Sequence, residues 1–204
     1  MIEVFNIEQG SPDWFQCRSM IPTASMFKDA TAKGEGKTRR TYMLKLIGER
    51  ITGVPSEGFS NSHTERGTLL EPEARDAYAF IKDADPELVG FVRNDGIVSA
   101  GPIGASPDSL IGTDGCLEIK TKLPHLQCEV LLADKVPPEH VKQVQGVIWV
   151  CEREWCDFVS YYPGMPVFIK RAYRDEKVIA ELKSGLESFY EEMLELEHRI
   201  KSMA

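Results

Sequence analysis

Three stretches of the chain carry apolar residues at the three- and four-residue steps of an amphipathic helix, and they span residues 39–52, 65–81 and 175–200. Three shorter stretches are also predicted to be helical, at residues 23–30, 125–133 and 139–150. Thr23 is the N-cap candidate of the first of these, and the last follows Pro137 and Pro138 directly. Pro72 interrupts the second long stretch, so it is expected to open or kink that helix.

After the second long helix the pattern changes to short apolar runs separated by turn residues, which is typical of strands. The predicted strands of this part lie at residues 89–93, 97–99, 103–111 and 116–120. Two further strands are predicted at residues 155–162 and 167–173. This order of elements indicates an α/β domain with a mixed central β-sheet flanked by helices and with a helical N-terminal part.

Length and composition place the chain among ordinary globular proteins. Its 204 residues are 42% apolar and 27% charged, enough for a real core and too few for two comfortable domains. Residues 31–37 and 53–62 are rich in Gly, Ser and charge, and they are predicted to be loops. Because both are too short to link domains, we expect a single domain over residues 1–204.

The chain carries no sign of a membrane or secretory destination. No apolar run approaches the roughly 18–20 residues that cross a bilayer, and the N-terminal segment lacks the layout of a secretory signal. The five cysteines are odd in number and include no CxxC pair. We therefore expect reduced thiols in a cytoplasmic protein with no membrane partner.

The net charge of −8 argues weakly against a nucleic-acid partner, because a basic surface supplies most nonspecific affinity for phosphates. Its distribution is uneven, however. Residues 28–50 hold seven Lys or Arg against three acids, whereas residues 175–197 hold eight acids against two lysines. A locally basic region can coexist with an acidic helix, so charge alone neither supports nor excludes DNA binding.

The candidate chemistry lies at Asp108 and at Glu118, which precedes Lys120 by two positions. Residues two apart on a strand point to the same face, so Glu118 and Lys120 are expected to project together while Ile119 points into the core. A hairpin between Asp108 and Glu118 would bring two carboxylates side by side. Like charges repel unless a cation joins them, so this pattern indicates an all-oxygen Mg²⁺ site beside a lysine, suited to hydrolysing a phosphodiester.

The same pattern also fits a surface hairpin in which Glu118 forms an ordinary ion pair with Lys120 or Lys122, since scattered matches of this kind are common. Two observations favour the metal site. Asp108 and Glu118 flank short apolar strands, where charges are costly unless they are used. The wider set of motifs around them is the second observation.

Further motifs occur in a fixed order along most of the chain. They are residues 10–14 (GSPDW) with Arg18, residues 22–25 (PTAS), residues 67–71 (GTLLE) with Ala74 and Tyr78, residues 105–108 (ASPD), residues 117–120 (LEIK), and Gln143 and Gln145 with Trp149. From about Gln9 to Arg174 the chain thereby resembles the phage lambda-exonuclease family, a branch of the PD-(D/E)xK nucleases with the restriction-endonuclease-like fold. Each motif alone is weak, whereas the ordered set is specific.

The resemblance implies a metal centre. Asp108 and Glu118 would be metal ligands, with the main-chain carbonyl of Ile119 as a further oxygen donor. Lys120 would orient the attacking water, and Glu71 would extend the metal shell and help to place a second ion. The implied cofactor is Mg²⁺, as two ions, with Mn²⁺ as a possible substitute.

Gln143 would reach this centre from its helix and steady the water or the metal shell. Gln145 lies two residues on and should face away, so Gln143 is preferred. The alternative for Glu71 is an ordinary exposed helix acid. For Gln143 the alternative is a solvated helix glutamine, which the sequence without the resemblance favours.

The resemblance also implies a pocket for the terminal 5′ phosphate of the strand being cut, formed by Arg18, Ser25 and Ser106. Arginine offers a forked donor for phosphate, and Thr23 and Ser25 lie at a predicted helix start, where free N–H groups favour anions. Ser106 precedes Asp108 by two residues and would link this pocket to the metal centre. The alternatives are a surface arginine, a helix cap and a turn serine.

Contacts with DNA outside these pockets are less specific. Trp14 would stack near the terminal bases, with a core position as the equal alternative. Four basic residues are candidates to contact the duplex backbone, with a solvated charged face as the alternative: Lys33, Lys37, Arg39 and Arg40.

The expected activity is that of a metal-dependent 5′-to-3′ exonuclease on double-stranded DNA. It would hydrolyse one strand from a 5′-phosphorylated end to mononucleotides and leave a 3′ single-stranded overhang. The resemblance adds a ring-shaped homotrimer, a single-strand annealing protein as partner, and a phage or prophage origin in a bacterial host. A structure-specific or restriction-type endonuclease on the same fold and a non-catalytic DNA-end-binding protein remain open as alternatives.

Overall fold

A computed structural model describes residues 1–33, 36–56 and 62–203 of the chain, with side chains described outside residues 62–65. The two predicted loops, 31–37 and 53–62, therefore lie partly outside the described residues. No helix in the described part of the chain is both long and apolar enough to cross a membrane.

All helices except the first occupy stretches that the sequence predicts to be helical. They are α1 (Pro12–Arg18), α2 (Phe27–Ala30, directly after a 3-10 turn at Ala24–Met26), α3 (Lys37–Thr52), α4 (Ser62–Lys82), α5 (Pro124–Ala133), α6 (Pro138–Val150) and α7 (Glu176–Lys201). Pro72 lies inside α4 and does not end it. Thr23 takes the extended N-cap conformation before the 3-10 turn, although its side chain makes no capping hydrogen bond.

The strands form two sheets. They are β1 (Ile2–Phe5), β2 (Pro86–Glu87), β3 (Phe91–Asn94), β4 (Ile103–Ala105), β5 (Ser109–Ile111), β6 (Gly115–Thr121), β7 (Trp155–Tyr161) and β8 (Phe168–Tyr173). The smaller sheet has the order β1-β3-β4, and the larger has the order β2-β5-β6-β7-β8. Within the larger sheet, β6 and β7 run parallel while the other pairs are antiparallel, which confirms the predicted α/β fold with a mixed sheet.

Three details of the strand prediction were wrong or incomplete. Residues 97–99 form bends rather than a strand, because this segment turns Val98 into the core. The predicted run 103–111 is divided between the two sheets, and neither β1 nor β2 was predicted. β1 is largely exposed and pairs with β3 through its main chain, so it leaves little apolar signal.

Helix α1 was also missed, for a related reason. None of its residues is buried, so it has no apolar stripe for a periodicity argument to detect. Its start is nevertheless encoded locally, since Pro12 lies in the first turn and the Ser11 side chain accepts a hydrogen bond from the Trp14 amide. The Ser-Pro pair was the available signal.

The larger sheet is buried on both faces. Leu117 and Ile119 of β6 pack with α4 residues on one face, whereas Cys116 and Phe158 lie in the core cluster that includes α6 on the other. Alternation along β6 therefore turns Glu118 toward the α6 side, among buried apolar groups. This burial gives Glu118 its unusual environment.

A buried ion pair fixes α4 against the sheet. Asp157 on β7 accepts two hydrogen bonds of 2.8 Å from the Arg171 guanidinium and one of 2.9 Å from the Tyr78 hydroxyl on α4. All hydrogen bonds to this carboxylate come from groups on other elements, so they lock β7, β8 and α4 together. The position of α4 matters for the site, because α4 carries Glu71.

Replacing Phe158 with Ala tests the core assignment. Phe158 is 0% exposed, so its loss should lower the free energy of unfolding by about 3–5 kcal/mol, measured by urea denaturation. Phe80→Ala removes the same side chain at a 90% exposed position and should leave stability nearly unchanged. Equal effects of the two substitutions would contradict the packing described.

Candidate active site

The β5–β6 hairpin brings Asp108 beside Glu118. Ser109 pairs with Leu117 in this hairpin, and the Asp108 amide donates to the Leu117 carbonyl at 3.1 Å. The Asp108 carboxylate in turn accepts a hydrogen bond from the Ile119 amide at 2.5 Å. Main-chain groups of the hairpin therefore hold the Asp108 carboxylate beside Glu118.

The Glu118 carboxylate is buried and only half satisfied. Its Oε1 accepts hydrogen bonds of 2.5 Å from Lys120 Nζ and from Gln143 Nε2, so strand β6 and helix α6 meet at this atom. Its Oε2 is buried and has no hydrogen-bond partner among the described residues. A buried carboxylate oxygen without a partner is costly, so this atom is available for a cation.

The charges of the site depend on one another. Burial raises the pKa of Asp108 well above its usual value, and the nearby Glu118 carboxylate adds to the rise while the Lys120 ammonium opposes it. For Lys120, burial disfavours the ammonium, but Glu118 and Asp108 outweigh it and raise the pKa above its ordinary value. Lys120 is therefore a charged donor at neutral pH.

Glu71 reaches the edge of this site from α4. Arg75, one turn further along α4, bonds to the Glu71 carboxylate, to the Asp108 carbonyl at 3.2 Å and to the Ser109 hydroxyl at 3.0 Å. Glu71 is close enough to raise the pKa of Asp108. Sequence reasoning missed Arg75, although its four-residue distance from Glu71 is a recognisable pairing signal.

The donor set fits an oxygen-ligated cation. In the described part of the chain, no three His, Cys, Asp or Glu side chains lie close enough to form a metal cluster by themselves. The carboxylates of Asp108 and Glu118, which both line the cavity, remain as oxygen donors. This set suits Mg²⁺, which commonly binds through one or two carboxylates and keeps several waters.

Arg18, Ser25 and Ser106 form a basic group beside the carboxylate pair. Arg18 donates to the Ser106 hydroxyl at 2.8 Å and approaches the Ser25 hydroxyl at 3.5 Å. Burial lowers the pKa of Arg18 to about 10, which still leaves it charged at neutral pH. Thr23 is buried behind Ser25, with 3.4 Å between their hydroxyls, so it supports the group from within.

Trp14 holds this basic group in position. Its indole N–H donates to the Gly90 carbonyl at 2.9 Å and to the Ser106 hydroxyl at 3.1 Å. The Arg18 guanidinium lies 4.0 Å from the centroid of the Trp14 ring and covers one of its faces.

One cavity of about 120 Å³ joins the carboxylate pair to the basic group. Its lining includes Arg18, Ser25, Ser106, Asp108, Glu118, Lys120 and Gln143. Gln9, which sequence reasoning also missed, lines it too and ties two loops together by donating to the carbonyls of Val89 and Pro107. By contrast, Gln145 turns away from the cavity and bonds to the Tyr173 carbonyl and the Asp175 amide.

The four basic residues proposed to contact the duplex lie away from this cavity. Arg39 is engaged by Glu192 of α7, by the Ala30 carbonyl and by the Phe189 ring, so it joins helices. Arg40 is half exposed and 3.5 Å from Glu192. Lys33 and Lys37 are exposed, and Lys33, Arg39 and Arg40 line a groove of about 1320 Å³ between α3 and α7.

A further pair of buried basic groups lies next to the site. Lys122 Nζ lies 2.9 Å from His140 Nε2, and the His140 ring stacks on Phe158 with 5.4 Å between centroids. Burial, reinforced by Lys122, Lys120 and Lys28, lowers the pKa of His140 to about 4, against a small opposing effect of Glu139. His140 is therefore neutral at physiological pH and accepts a hydrogen bond from Lys122.

Comparison with known proteins extends this description. The family described as YqaJ-like viral recombinase domain matches residues 13–154. An alkaline exonuclease, LHK-Exo from Laribacter hongkongensis, is 33% identical with a TM-score of 0.85, over 95% of this chain and 97% of that chain. The same enzyme in complex with dAMP is 34% identical over the same shares, also with a TM-score of 0.85.

A more distant structure shares the fold alone. A phage-related exonuclease from Haemophilus somnus 129PT is 14% identical with a TM-score of 0.60, over 93% of this chain and 99% of that chain. No curated protein sequence is similar enough to the chain to be counted as a relative.

The environment of His140 predicts a pH dependence of stability. Its folded pKa of about 4 lies below the value near 6.5 of an unfolded histidine, so its contribution is fully present above pH ~6.5. That contribution is lost as the pH falls toward 4. In His140→Gln, the free energy of unfolding should therefore decline less steeply over this interval, measured by urea denaturation at several pH values.

His125→Gln provides the control, because His125 is exposed and should leave the wild-type pH dependence unchanged. Parallel curves for wild type and His140→Gln would show that His140 is not held neutral in the folded protein.

Proposed function

The chain belongs to the YqaJ-like viral recombinase family, and from this we propose that it is a divalent-metal-dependent exonuclease that shortens one strand of duplex DNA from a 5′-phosphorylated end. Membership makes it an alkaline-exonuclease-like nuclease and confirms, at the level of the family, the resemblance drawn from the motifs. The polarity, the metal and the residue roles are our proposal.

The observation that carries the proposal is the shared cavity. It places a carboxylate pair suited to a cation next to an arginine and two hydroxyls suited to a phosphate. At about 120 Å³, this cavity leaves little room between the carboxylate pair and the basic group. A terminal phosphate held by the basic group would therefore leave a bond close to the strand end beside the carboxylates.

Asp108, Glu118 and the Ile119 carbonyl would hold the metal ion, with Glu71 as the nearest further carboxylate for a second one. When bound, Mg²⁺ or Mn²⁺ supplies a Lewis acid that makes water a stronger nucleophile and offsets negative charge on the phosphate. The unpartnered Glu118 Oε2 and the repulsion between Asp108 and Glu118 both favour cation binding.

Lys120 and Gln143 would position the reactants. The Lys120 ammonium donates a hydrogen bond to Glu118 Oε1 and lines the shared cavity, so it is placed to orient a water or a phosphate oxygen. Gln143 bonds to the same Glu118 oxygen as Lys120 and so fixes the direction of the carboxylate.

Arg18, Ser25 and Ser106 would bind the terminal 5′ phosphate, with Thr23 behind them. A phosphate monoester at a strand end presents three acceptor oxygens, which match a forked guanidinium flanked by hydroxyls. Recognition of the end sets the polarity, and the small cavity favours release of mononucleotides. The dAMP complex of LHK-Exo is consistent with such a product site.

The wider contacts follow from this assignment. Trp14 would lie near the terminal base, and Lys33, Lys37 and Arg40 would lie toward the duplex backbone. Arg39 is already held by Glu192 and Phe189, so we assign it a structural role.

We also propose the larger context. Residues 1–204 would form a single nuclease domain that assembles as a homotrimeric ring around DNA. It would act in the cytoplasm of a bacterial host, in phage-type recombination, and hand its 3′ overhang to a single-strand annealing protein.

The central test is digestion of linear duplex DNA carrying 5′-phosphate ends in Mg²⁺. We expect mononucleotide release from the 5′ end, none in EDTA and none from circular DNA, measured by chromatography of acid-soluble products. Asp108→Asn should abolish release while the protein remains folded.

Release of oligonucleotides from circular DNA would instead identify an endonuclease. Binding of DNA ends without release in either Mg²⁺ or Mn²⁺ would identify a non-catalytic end-binding protein.

Removing the arginine tests end recognition. Arg18→Ala should reduce kcat/KM on 5′-phosphorylated duplex about 10- to 150-fold, the equivalent of losing roughly 1.5–3 kcal/mol from a charge-assisted hydrogen bond. On 5′-hydroxyl duplex the loss should be much smaller, because there is no terminal phosphate to hold.

Arg174→Ala serves as the matched control, since Arg174 pairs with Glu176 away from the cavity. An equal loss on both substrates, or no loss on either, would remove Arg18 from the phosphate pocket.

A further inference from the structure

We propose that Lys122, His140 and Lys28 form a second phosphate-binding site, which holds a backbone phosphate of the DNA strand next to the one in the active-site cavity. This inference deepens the proposed function and rests on it for the identity of the ligand. The geometry around Lys122 supports it independently.

The placement of Lys122 continues the line of catalytic side chains. Its amide donates to the Tyr161 carbonyl at 3.1 Å, which prolongs the pairing of β6 with β7 by one residue. Glu118, Lys120 and Lys122 therefore project from alternate positions on one side of the strand. Successive members of such a row are about 7 Å apart, a spacing comparable to that of neighbouring phosphates on a nucleic-acid strand.

The ammonium of Lys122 has donors to spare. The Lys122 side chain is only 15% exposed, and its ammonium lies 2.9 Å from the neutral His140 imidazole and 3.6 Å from the Glu139 carboxylate. Glu139 lies 3.6 Å from Lys122 Nζ and is half exposed, so it compensates the charge weakly. Since an ammonium carries three N–H donors, at least one remains for an anion.

His140 connects this group to the active site. It precedes Gln143 by three residues on α6, so both side chains lie on the same face of the helix. Stacking on Phe158 fixes the imidazole ring. His140 also lies in the first turn of α6, where the helix dipole favours negative charge.

Lys28 adds positive charge from helix α2. It follows Ser25 of the terminal-phosphate pocket by three residues, and it is exposed. Lys122, Lys120 and, more weakly, Lys28 lower the pKa of His140, whereas Glu139 raises it. Glu139 is the acid that faces His140 within the described chain, so this region lacks a full counter-charge.

A bound anion would complete this group, and a DNA strand in the adjacent cavity would supply it as a backbone phosphate. Glu139 is half exposed, so the ion pair that it forms with Lys122 is screened by solvent. Phosphate binding would satisfy Lys122 and the surrounding positive potential together.

The test measures binding of a 5′-phosphorylated duplex in EDTA, by fluorescence anisotropy over a series of salt concentrations. Lys122→Gln should weaken binding several-fold and reduce the slope of log affinity against log salt concentration by about 1, as expected for one lost phosphate contact. Lys122→Arg should restore most of the affinity. In Mg²⁺, Lys122→Gln should raise KM and leave kcat close to the wild-type value.

Two further variants complete the design. Lys28→Gln removes an exposed charge without risk to folding and should lower affinity and slope in the same direction as Lys122→Gln. Lys82→Gln makes the same change at an exposed position at the end of α4 and should match wild type.

An unchanged salt slope in both Lys122→Gln and Lys28→Gln would overturn the second phosphate site, as would a loss confined to kcat. These outcomes are separable from failure of the proposed function, which appears as a wild-type protein that releases no nucleotides. The binding measurement in EDTA needs no turnover and decides the site in either case.

Discussion

Two carboxylates held together against their mutual repulsion are the constraint on which the site depends. The β5–β6 hairpin fixes Asp108 and Glu118 through main-chain hydrogen bonds, at a cost shown by the raised pKa of Asp108. Lys120 and Gln143 offset part of this cost at one Glu118 oxygen and leave the other without a partner. The folded protein thus leaves a buried carboxylate oxygen without a partner, and a divalent cation would supply one.

The rest of the fold keeps that arrangement rigid. The central strands are buried on both faces, so neither β6 nor β7 can shift without disturbing two core clusters. The hydrogen bonds of Asp157 with Arg171 and Tyr78 attach α4 to the sheet. Arg75 of α4 donates to the Asp108 carbonyl and so links this helix to the site. Placement of the reactive groups is therefore a property of the whole larger sheet.

Sequence patterns predicted the parts of this site that depend on local geometry. Alternation along a strand is enough to place Glu118 with Lys120, and helix periodicity distinguishes Gln143 from Gln145. The exposed elements β1 and α1 left no apolar signal, and the contacts of Arg75, Gln9 and His140 join residues far apart in the chain. Such contacts depend on tertiary packing, which no local spacing encodes.

Helix α1 buries none of its residues, yet it supplies both Trp14 and Arg18 to the cavity wall. It is attached through a few polar contacts, chiefly those of the Trp14 indole with Gly90 and Ser106. Under the proposed function, part of the group that recognises the strand end therefore lies on a different element from the carboxylate pair. Exchanging this short surface helix would then alter recognition of the terminus while the β5–β6 hairpin stayed in place.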